Sequence, residues 1–370
     1  MAKKTLLTTE DGTYHKVKKG YLTVDGFYRR VKKAYVTIGG VYRPCWSGGE
    51  LSYYGITYPL TYPTTEGSAA SIENYALFST VYYDSDDYVH YTVDVYDSNL
   101  TKHAPKDINN PIYLGSATSI SNYALLSTGT SDRDVAAFNA SLTQSYVYLS
   151  TQRLHHGAAT VGDYALFAGG TNGNGVVQES ADVFNTSLTS SQIIYLRVHS
   201  QPRGASIGNY AIFKPNDSSS HMSALDSSLT KVAVPLASFS VSDGIAATSN
   251  GAYALFGGGL NYPTSHKTVD AYDSSLVRTN APELIGHRRD HVGTSVEGFA
   301  VFFGGGFGEA NECVDAYDQS LTHTTVGYPS EYSTGSQAAG TTVGNYALFG
   351  GGYNNQSGSK QDTMLVFTVA

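Results

Sequence analysis

The chain has 370 residues, of which 41% are hydrophobic and 15% charged, with 30 Tyr and 39 Gly, a composition that excludes a disordered polypeptide. The formal net charge of −8 is unevenly divided: residues 1–46 carry ten Lys or Arg against three acids, whereas residues 47–370 carry thirteen against twenty-eight. The long acidic part is expected to repel phosphate backbones, so no nucleic-acid partner is predicted.

The first 46 residues contain a repeat of 14 residues. Its turn dipeptides and the tyrosines behind them align in three copies: Asp11-Gly12 with Tyr14, Asp25-Gly26 with Tyr28, and Gly39-Gly40 with Tyr42. Asp-Gly and Gly-Gly between alternating apolar residues predict β-hairpins, because both central positions of the tight turn need a positive φ. We predict three hairpins over residues 1–46, then a linker at 47–50.

From residue 51 to residue 370 the chain is built from a longer repeat centred on Tyr-Ala-Leu-Phe. Successive copies lie 41 to 48 residues apart and begin at Tyr75, Tyr123, Tyr164, Tyr210, Tyr253, Phe299 and Tyr346. In each copy a run of small residues precedes this apolar strand, and a variable loop, a third strand and a polar fourth strand follow. Four strands per forty-odd residues, without helical periodicity, predict an all-β, seven-bladed propeller.

The two ends of this region are complementary. The seventh copy stops after its third strand, at 363–370, and a spare strand, Leu51–Tyr58, precedes the first copy. We expect the spare strand to complete the seventh blade, because this closes the ring and removes an exposed sheet edge.

The repeat resembles the Kelch family of β-propellers. The matching residues are glycine pairs after the second strand and Tyr-Asp pairs in the third: Gly169-Gly170, Gly258-Gly259, Gly305-Gly306, Gly351-Gly352, Tyr96-Asp97, Tyr272-Asp273 and Tyr317-Asp318. Two departures are the missing fourth-strand Trp and the loss of the glycines at Phe78-Ser79 and Phe213-Lys214.

The 14-residue repeats resemble short repeats in tail-associated and minor structural proteins of bacteriophages and prophages of gut Firmicutes. Their pattern here is Val-Lys-Lys-(Gly/Ala)-Tyr, followed by Gly-(Phe/Val)-Tyr-Arg, over 17–29 and 31–43. The resemblance implies a basic attachment arm that binds other tail or structural proteins and carries a receptor-binding head.

Candidate binding residues lie on one predicted face of the propeller, where loop length and composition vary between copies. The loops between second and third strands contribute Tyr82, Tyr83, Asn172, Tyr262, His266, Phe307, Tyr353 and Asn354, and the segments between blades contribute Arg153, His155, Arg203 and Arg288. Tyr and Asn make adaptable contacts and suit sugar faces and hydroxyls. The alternative roles are loop packing for each Tyr, and bonds to carbonyls between blades for each Arg.

The sequence favours no catalytic or metal centre and no cofactor. A copper oxidase of the Kelch type would need a Tyr–Cys crosslink through Cys45 or Cys313, and His287 with His291 forms a metal pair that lacks a third ligand. Neither a signal peptide nor a stretch of about 20 apolar residues is found. We therefore expect a protein that is made in a cytoplasm and has no membrane span. We expect it to be associated with a virion, or otherwise to be cytoplasmic.

Three hypotheses of function remain open from the sequence. The first is a phage or prophage tail or fibre component whose propeller loops bind a host-surface receptor, a glycan or a protein. The second is an intracellular propeller for protein–protein interaction. The third is an enzyme similar to galactose oxidase.

Overall fold

The structure is a computed structural model. It describes residues 20–24, 27–31, 33–38, 41–47, 49–83, 89–110, 115–129, 133–193, 196–199, 201–261, 263–305, 312–332, 336–354 and 357–369. Contacts divide the chain into two compact units, Met1–Ser52 with Val369–Ala370, and Tyr53–Thr368. Among these described residues, no helix has the length and hydrophobicity that a membrane crossing requires.

Two hairpins are described in the first unit. Strand β1 (Gly20–Val24) pairs antiparallel with β2 (Phe27–Val31), and Val24 lies opposite Phe27. Strand β3 (Lys33–Ile38) pairs with β4 (Val41–Ser47), and Ile38 lies opposite Val41. These pairings lie at the second and third predicted turns, Asp25-Gly26 and Gly39-Gly40. The first, around Asp11-Gly12, lies outside the described residues.

Seven antiparallel four-stranded sheets form the predicted blades, numbered here in chain order from the first copy. The inner strands are β6 (Ala69–Ile72), β10 (Ala117–Ile120), β14 (Gly157–Val161), β18 (Arg203–Ile207), β22 (Asp243–Ser249), β27 (Val292–Val296) and β31 (Ala339–Val343). The second strands are β7 (Tyr75–Tyr83), β11 (Tyr123–Ser127), β15 (Tyr164–Ala168), β19 (Tyr210–Lys214), β23 (Tyr253–Asn261), β28 (Phe299–Phe303) and β32 (Tyr346–Gly350).

The remaining strands complete the blades outward. The third strands are β8 (Val89–Asp97), β12 (Asp134–Asn139), β16 (Ala181–Phe184), β20 (Ser223–Asp226), β25 (Val269–Asp273), β29 (Cys313–Tyr317) and β35 (Met364–Val369). The outer strands are β9 (Lys102–Asp107), β13 (Gln144–Tyr148), β17 (Ser190–Ile193), β21 (Lys231–Val232), β26 (Arg278–Ala281), β30 (His323–Gly327) and β5 (Leu51–Thr57). A short 3-10 turn spans Ser330–Tyr332.

The ring closes as predicted. Inner strands of successive blades contact one another all the way round, including β31 of blade seven with β6 of blade one. The sheet of blade seven has the order β31-β32-β35-β5, so the strand that precedes the first copy is the outer strand of the last blade. The fold is therefore a seven-bladed β-propeller in which both ends of the repeat region share one sheet.

The Ala-Leu-Phe strands are apolar throughout because both of their faces are covered by neighbouring blades. Ala76, Leu77 and Phe78 are all fully buried. Phe78 packs edge-on against Tyr96, with ring centroids 5.9 Å apart, in a cluster that includes Leu348 of blade seven. Burial of one such side chain contributes about 1.5–3 kcal/mol, so blades seven and one are held together by an apolar contact.

The turn between third and outer strands is the same in six blades. In blade five, Asp273 Oδ1 accepts the N–H groups of Ser275 at 2.8 Å and Val277 at 2.9 Å, and Leu276 has φ 60°. Asp97, Asn139, Asn185, Asp226 and Asp318 occupy the same position and make the same pair of bonds. The side chain of each acceptor caps its turn, and the turn holds a leucine in a backbone conformation that usually favours glycine.

Three of the segments predicted as variable loops contain paired strands. Strands β7 and β8 continue to Tyr83 opposite Val89, and Thr80 bonds Thr92 at 2.7 Å between side chains. Two short pairs lie in blades five and seven: β23 with β24 (Thr264–Ser265), and β33 (Tyr353–Asn354) with β34 (Ser359–Lys360). Tyr, Thr and Val favour extended pairing, so these segments extend as hairpins rather than as irregular loops.

Replacing the turn acceptor is expected to destabilise the propeller. Asp273→Ala removes the acceptor of two N–H groups and should lower the free energy of unfolding by about 1–2 kcal/mol. Asp273→Asn is the matched control, because Asn139 and Asn185 perform this role in blades two and three. Urea denaturation followed by fluorescence would measure both variants, and equal stability of the two would contradict this account.

Candidate functional site

One face of the propeller is formed by two kinds of segment. They are the loop between the second and third strands of a blade and the segment that links one blade to the next, here called the interblade segment. They bridge each other at Leu154 with Thr171, Ser219 with Val241, Thr64 with Gln361 and Ser336 with Tyr353. This interblade face is the face on which the sequence predicts ligand contacts.

Left-handed glycines bring the blades together at this face. Gly258 and Gly259 follow the apolar run of β23 with φ 68° and 94°, and Gly259 N–H donates to the carbonyl of Arg288 in the next interblade segment at 2.8 Å. A Cβ on Gly258 would lie 2.8 Å from that carbonyl. Gly170 and Gly352 make the corresponding bonds to His199 at 3.1 Å and Thr64 at 2.7 Å. Glycine is needed here because backbone approaches backbone.

A second set of left-handed residues lies where the interblade segments meet the inner strands. They occupy equivalent positions at the mouth of the central channel, and we call them the channel-mouth ring: Glu66 (φ 56°), His155 (φ 52°), Gln201 (φ 49°), Gly244 (φ 69°), Asp290 (φ 53°) and Gln337 (φ 62°). Five of the six carry a polar side chain, and we include in the ring Arg203 and Asp243, which open β18 and β22 beside them. A positive φ is uncommon for residues other than glycine and is found most often at turns and functional sites.

Backbone hydrogen bonds run along part of this ring. Asp290 N–H donates to Gly244 O at 2.9 Å, Gln337 N–H donates to Asp290 O at 2.8 Å, and Glu66 N–H donates to Gln337 O at 3.1 Å. The amide of Gln337 also donates to a carboxylate oxygen of Glu66 at 2.6 Å. Blades five, six, seven and one are thus linked around the channel, across the closure.

Arg203 is the first residue of β18, and its side chain is half-buried. Burial lowers the pKa of its guanidinium, while the carboxylates of Asp290, Asp243 and Glu66 act in the opposite direction. The one hydrogen bond described for this guanidinium runs from Nη1 to the carbonyl of Pro202 at 3.3 Å, and none of the described carboxylates is within ion-pairing distance. Arg203 therefore keeps donors that a ligand could use.

Burial and neighbouring charges shift the pKa values of Asp290 and His155, which lie beside Arg203. Burial raises the pKa of the Asp290 carboxyl, and the carboxylate of Asp243 raises it further. Burial and the guanidinium of Arg203 lower the pKa of His155. The ionisable groups of Arg203, Asp243, Asp290 and His155 therefore interact with one another at this opening.

Arg153 and Arg288 are placed differently from Arg203, although all three are predicted ligand candidates. Both side chains are fully buried. Arg288 Nε donates to Asp315 Oδ2 at 2.7 Å, and its other nitrogens reach the carbonyls of Gly304 at 2.7 Å and Cys313 at 2.8 Å. Arg153 bonds Asp182 at 2.8 Å and carbonyls of its own blade. This placement favours the structural alternative over ligand contact for these two arginines.

Four buried aspartates, two of which hold these arginines, were missed by sequence reasoning. Asp94, Asp182, Asp270 and Asp315 occupy equivalent third-strand positions and are fully buried or nearly so. Each accepts a backbone N–H from the interblade segment, from Thr61, Ser150, Ser238 and Ile285 respectively, at 2.6–2.8 Å. The available signal was an Asp repeated within an otherwise apolar strand, since a buried carboxylate requires partners.

The predicted loop residues that the structure describes have contacts of their own, and none of these contacts involves a ring residue. Asn172 and Asn354 accept backbone N–H groups of their own loops, at 2.9–3.0 Å, and so shape turns. His266 packs beside Phe239, with ring centroids 6.1 Å apart, and Tyr353 is 36% exposed in the β33–β34 hairpin. For Tyr82 and Tyr83 the structure describes only the backbone of β7. Tyr262 and Phe307 lie outside the described residues.

The ring residues other than His155 and Arg203 were also missed as candidates. Glu66, Gln201, Asp243, Asp290 and Gln337 share no constant residue type and fit no motif. Their signal was positional, because each precedes or opens the small-residue strand of its copy. The structure brings His155 and Arg203 together with them.

The two side chains of the predicted pair His287 and His291 differ in burial. The side chain of His287 is exposed and bonds the carbonyl of Ser265 at 2.5 Å. His291 is 6% exposed, and neither of its ring nitrogens has a hydrogen-bond partner. No group of three or more His, Cys, Asp or Glu side chains in the described part of the chain is arranged to hold a metal ion.

No protein-family model matches the sequence, and the curated proteins contain no significant match to it. Function is therefore inferred from the fold and from the channel-mouth ring.

Two buried histidines are expected to make the propeller sensitive to acid. Burial, with the neighbouring arginines, lowers the pKa of His156 and of His291 from 6.5 to about 3. As the pH falls, these histidines take up protons in the unfolded chain at a higher pH than in the folded chain. The free energy of unfolding therefore decreases as the pH falls from 6.5 toward 3. Each histidine should contribute about 2 kcal/mol of loss between pH 7 and pH 5.

His156→Gln tests this by reducing the difference between the free energies of unfolding at pH 7 and pH 5. His287→Gln, at an exposed side chain, is the control and should leave that difference unchanged. An unaltered difference in the His156 variant would contradict the assignment.

Because Arg288 is ion-paired and Arg203 has no described ion pair, substituting them is expected to lower the free energy of unfolding by different amounts. Arg288→Met removes the guanidinium that pairs with the buried carboxylate of Asp315, to which the imidazole of His323 also bonds, and should lower the free energy of unfolding by about 3–5 kcal/mol. Arg203→Met removes a side chain with one described hydrogen bond and should change it by less than about 1 kcal/mol. Urea denaturation of both variants measures the difference, and similar losses would show that Arg203 is also structural.

Proposed function

We propose that this protein is a non-catalytic binding protein whose channel-mouth ring recognises a saccharide on a host surface. The observation that carries the proposal is the half-buried guanidinium of Arg203, which keeps open donors beside the half-buried carboxylates of Asp243 and Asp290. A buried polar group without a partner is unfavourable, so a ligand that bonds donor and acceptor together would be stabilised there.

Sugar hydroxyls meet this requirement because each can accept a hydrogen bond and donate another. A hydroxyl between Arg203 and Asp290 would accept from the guanidinium and donate to the carboxylate. The amide of Gln201 and the imidazole of His155 add further partners around the same opening. Left-handed backbone positions support this proposal, since such strain is maintained most often at ligand sites.

The biological setting is proposed from the resemblances of the sequence. We propose that the propeller is of the Kelch type, on its glycine pairs and Tyr-Asp pairs, and that the protein belongs to a phage or prophage tail or fibre. In that setting the basic arm of residues 1–46 would attach to other tail proteins, and the propeller would bind the host receptor. The charge difference between arm and propeller supports a division of labour between them.

The proposal is tested with the full-length chain on an array of bacterial surface saccharides, followed by calorimetry on those retained. Arg203→Met and Asp243→Asn should each weaken binding at least tenfold, because each removes an open group of the ring. Lys106→Met, on outer strand β9 of blade one, is the control and should bind as the unaltered chain does.

Two results would contradict the proposal. Silence of the folded chain across the array would favour the rival propeller for protein–protein interaction. Retention of a saccharide with unchanged affinity in both ring variants would mean that a different surface binds it.

A further inference from the structure

The outer strand of blade four is unusually short. Strand β21 has two residues, whereas the outer strands of the other six blades have four to seven. Val232 pairs with Ala224 of the third strand, and beyond Val232 the chain leaves the sheet. Part of the third-strand edge in this blade is therefore not covered by an outer strand.

The chain returns to the blade through a bond that recurs around the ring. In blades three and five, Leu196 N–H donates to Glu179 O at 2.7 Å and Leu284 N–H donates to Lys267 O at 2.9 Å. In blade four, Ala237 N–H donates to Ser220 O at 2.9 Å. The four residues 233–236 connect the last strand pair to this anchor and belong to no strand. A pocket of about 270 Å³ is lined by the start of this connection, by the third strand and by Leu196 and Arg197.

The floor of this pocket is apolar and its rim is basic. Leu196, Met222 and Ala224 are buried to 2–3% exposure and form the floor. Arg197 and Lys231 are exposed at the rim, and the half-buried imidazole of His221 lies between strand and rim.

The groups around the rim are mostly positive in a propeller that is acidic as a whole. Burial lowers the pKa of His221, and the charges of Arg197 and Lys214 act in the same direction, whereas the carboxylate of Asp217 acts in the opposite one. One acid faces them, Asp217, and its carboxylate is 3.7 Å from the imidazole of His199. An anion at the rim would therefore meet uncompensated positive charge from Arg197 and Lys231.

We infer that this pocket binds a single carboxylate carried on a short apolar chain. Arg197 and Lys231 bind the carboxylate, and the chain lies on Leu196, Met222 and Ala224. The volume is just below the range of about 300–1,000 Å³ that is usual for drug-sized ligands, so it suits a small group. Two sources share this chemistry, a free aliphatic carboxylate and the C-terminal residue of a peptide. This site is separate from the channel-mouth ring and does not depend on the proposed function.

Titration of the full-length chain with four probes tests the inference. Hexanoate and the peptide acetyl-Gly-Ser-Val-Leu with a free C-terminus carry the carboxylate, and hexanamide and the amidated peptide are their neutral controls. Calorimetry gives the affinities, and the methyl resonance of Met222 reports occupancy of the floor. We expect saturable binding of at least one carboxylate probe, at least tenfold weaker binding of its amide, and weakening as salt rises.

Variants connect the binding to the rim. Arg197→Gln and Lys231→Gln should each weaken binding of the carboxylate probe at least tenfold. Lys106→Gln on β9 is the matched control and should not weaken it. Both rim side chains are exposed, so the variants are expected to fold, and their circular dichroism and melting curves check this.

Each outcome decides the inference or its source. Binding of hexanoate alone assigns a free carboxylate, and binding of the free peptide assigns a peptide C-terminus. The inference is overturned if neither carboxylate saturates, if amides bind as well as acids, or if the rim variants bind like the Lys106 control.

Discussion

The propeller depends on how the interblade segments are held against the sheets that they join. A buried aspartate in the third strand of blades one, three, five and six accepts the N–H of that segment. Left-handed glycines after the second strand donate to the next segment, as Gly259 does to Arg288. Apolar packing alone does not fix the angle between blades, whereas directional bonds to buried groups do. Loss of one partner is costly because the other stays desolvated.

In the same framework one interblade arginine, Arg203, lacks among the described residues the ion pair that Arg153 and Arg288 make, and this arginine forms the candidate site. Arg153 and Arg288 bond an aspartate and backbone carbonyls inside a blade. Arg203 comes from a similar segment but opens an inner strand, so its guanidinium lies among the ring carboxylates without an ion pair. The repeated contacts thus form a stable scaffold, and the positions that differ between blades form the candidate binding sites. The short outer strand of blade four, with residues 233–236 after it, is a second such difference.

Much of the fold could be predicted from the sequence because the same pattern occurs seven times, so that each copy supports the interpretation of the others. Seven apolar Tyr-Ala-Leu-Phe strands and turns such as that at Asp273 follow from local pattern and turn chemistry. The extension of β7 and β8 to Tyr83 and Val89 was predicted as loop, because pairing of polar and aromatic residues depends on the partner strand. The ring was recognised at His155 and Arg203 only, since Glu66, Gln201 and Asp290 occupy equivalent positions but differ in residue type.

The sequence by itself determined the number of blades, the closing role of the strand at Leu51–Thr57 and the face on which segments vary. These features follow from order along the chain, which periodicity records directly. Only the tertiary structure decided which arginine is buried and which keeps open donors, and which acids surround it. Such differences arise from contacts between blades far apart in sequence, where burial and distance set the energy of a charge, and no local pattern contains that information.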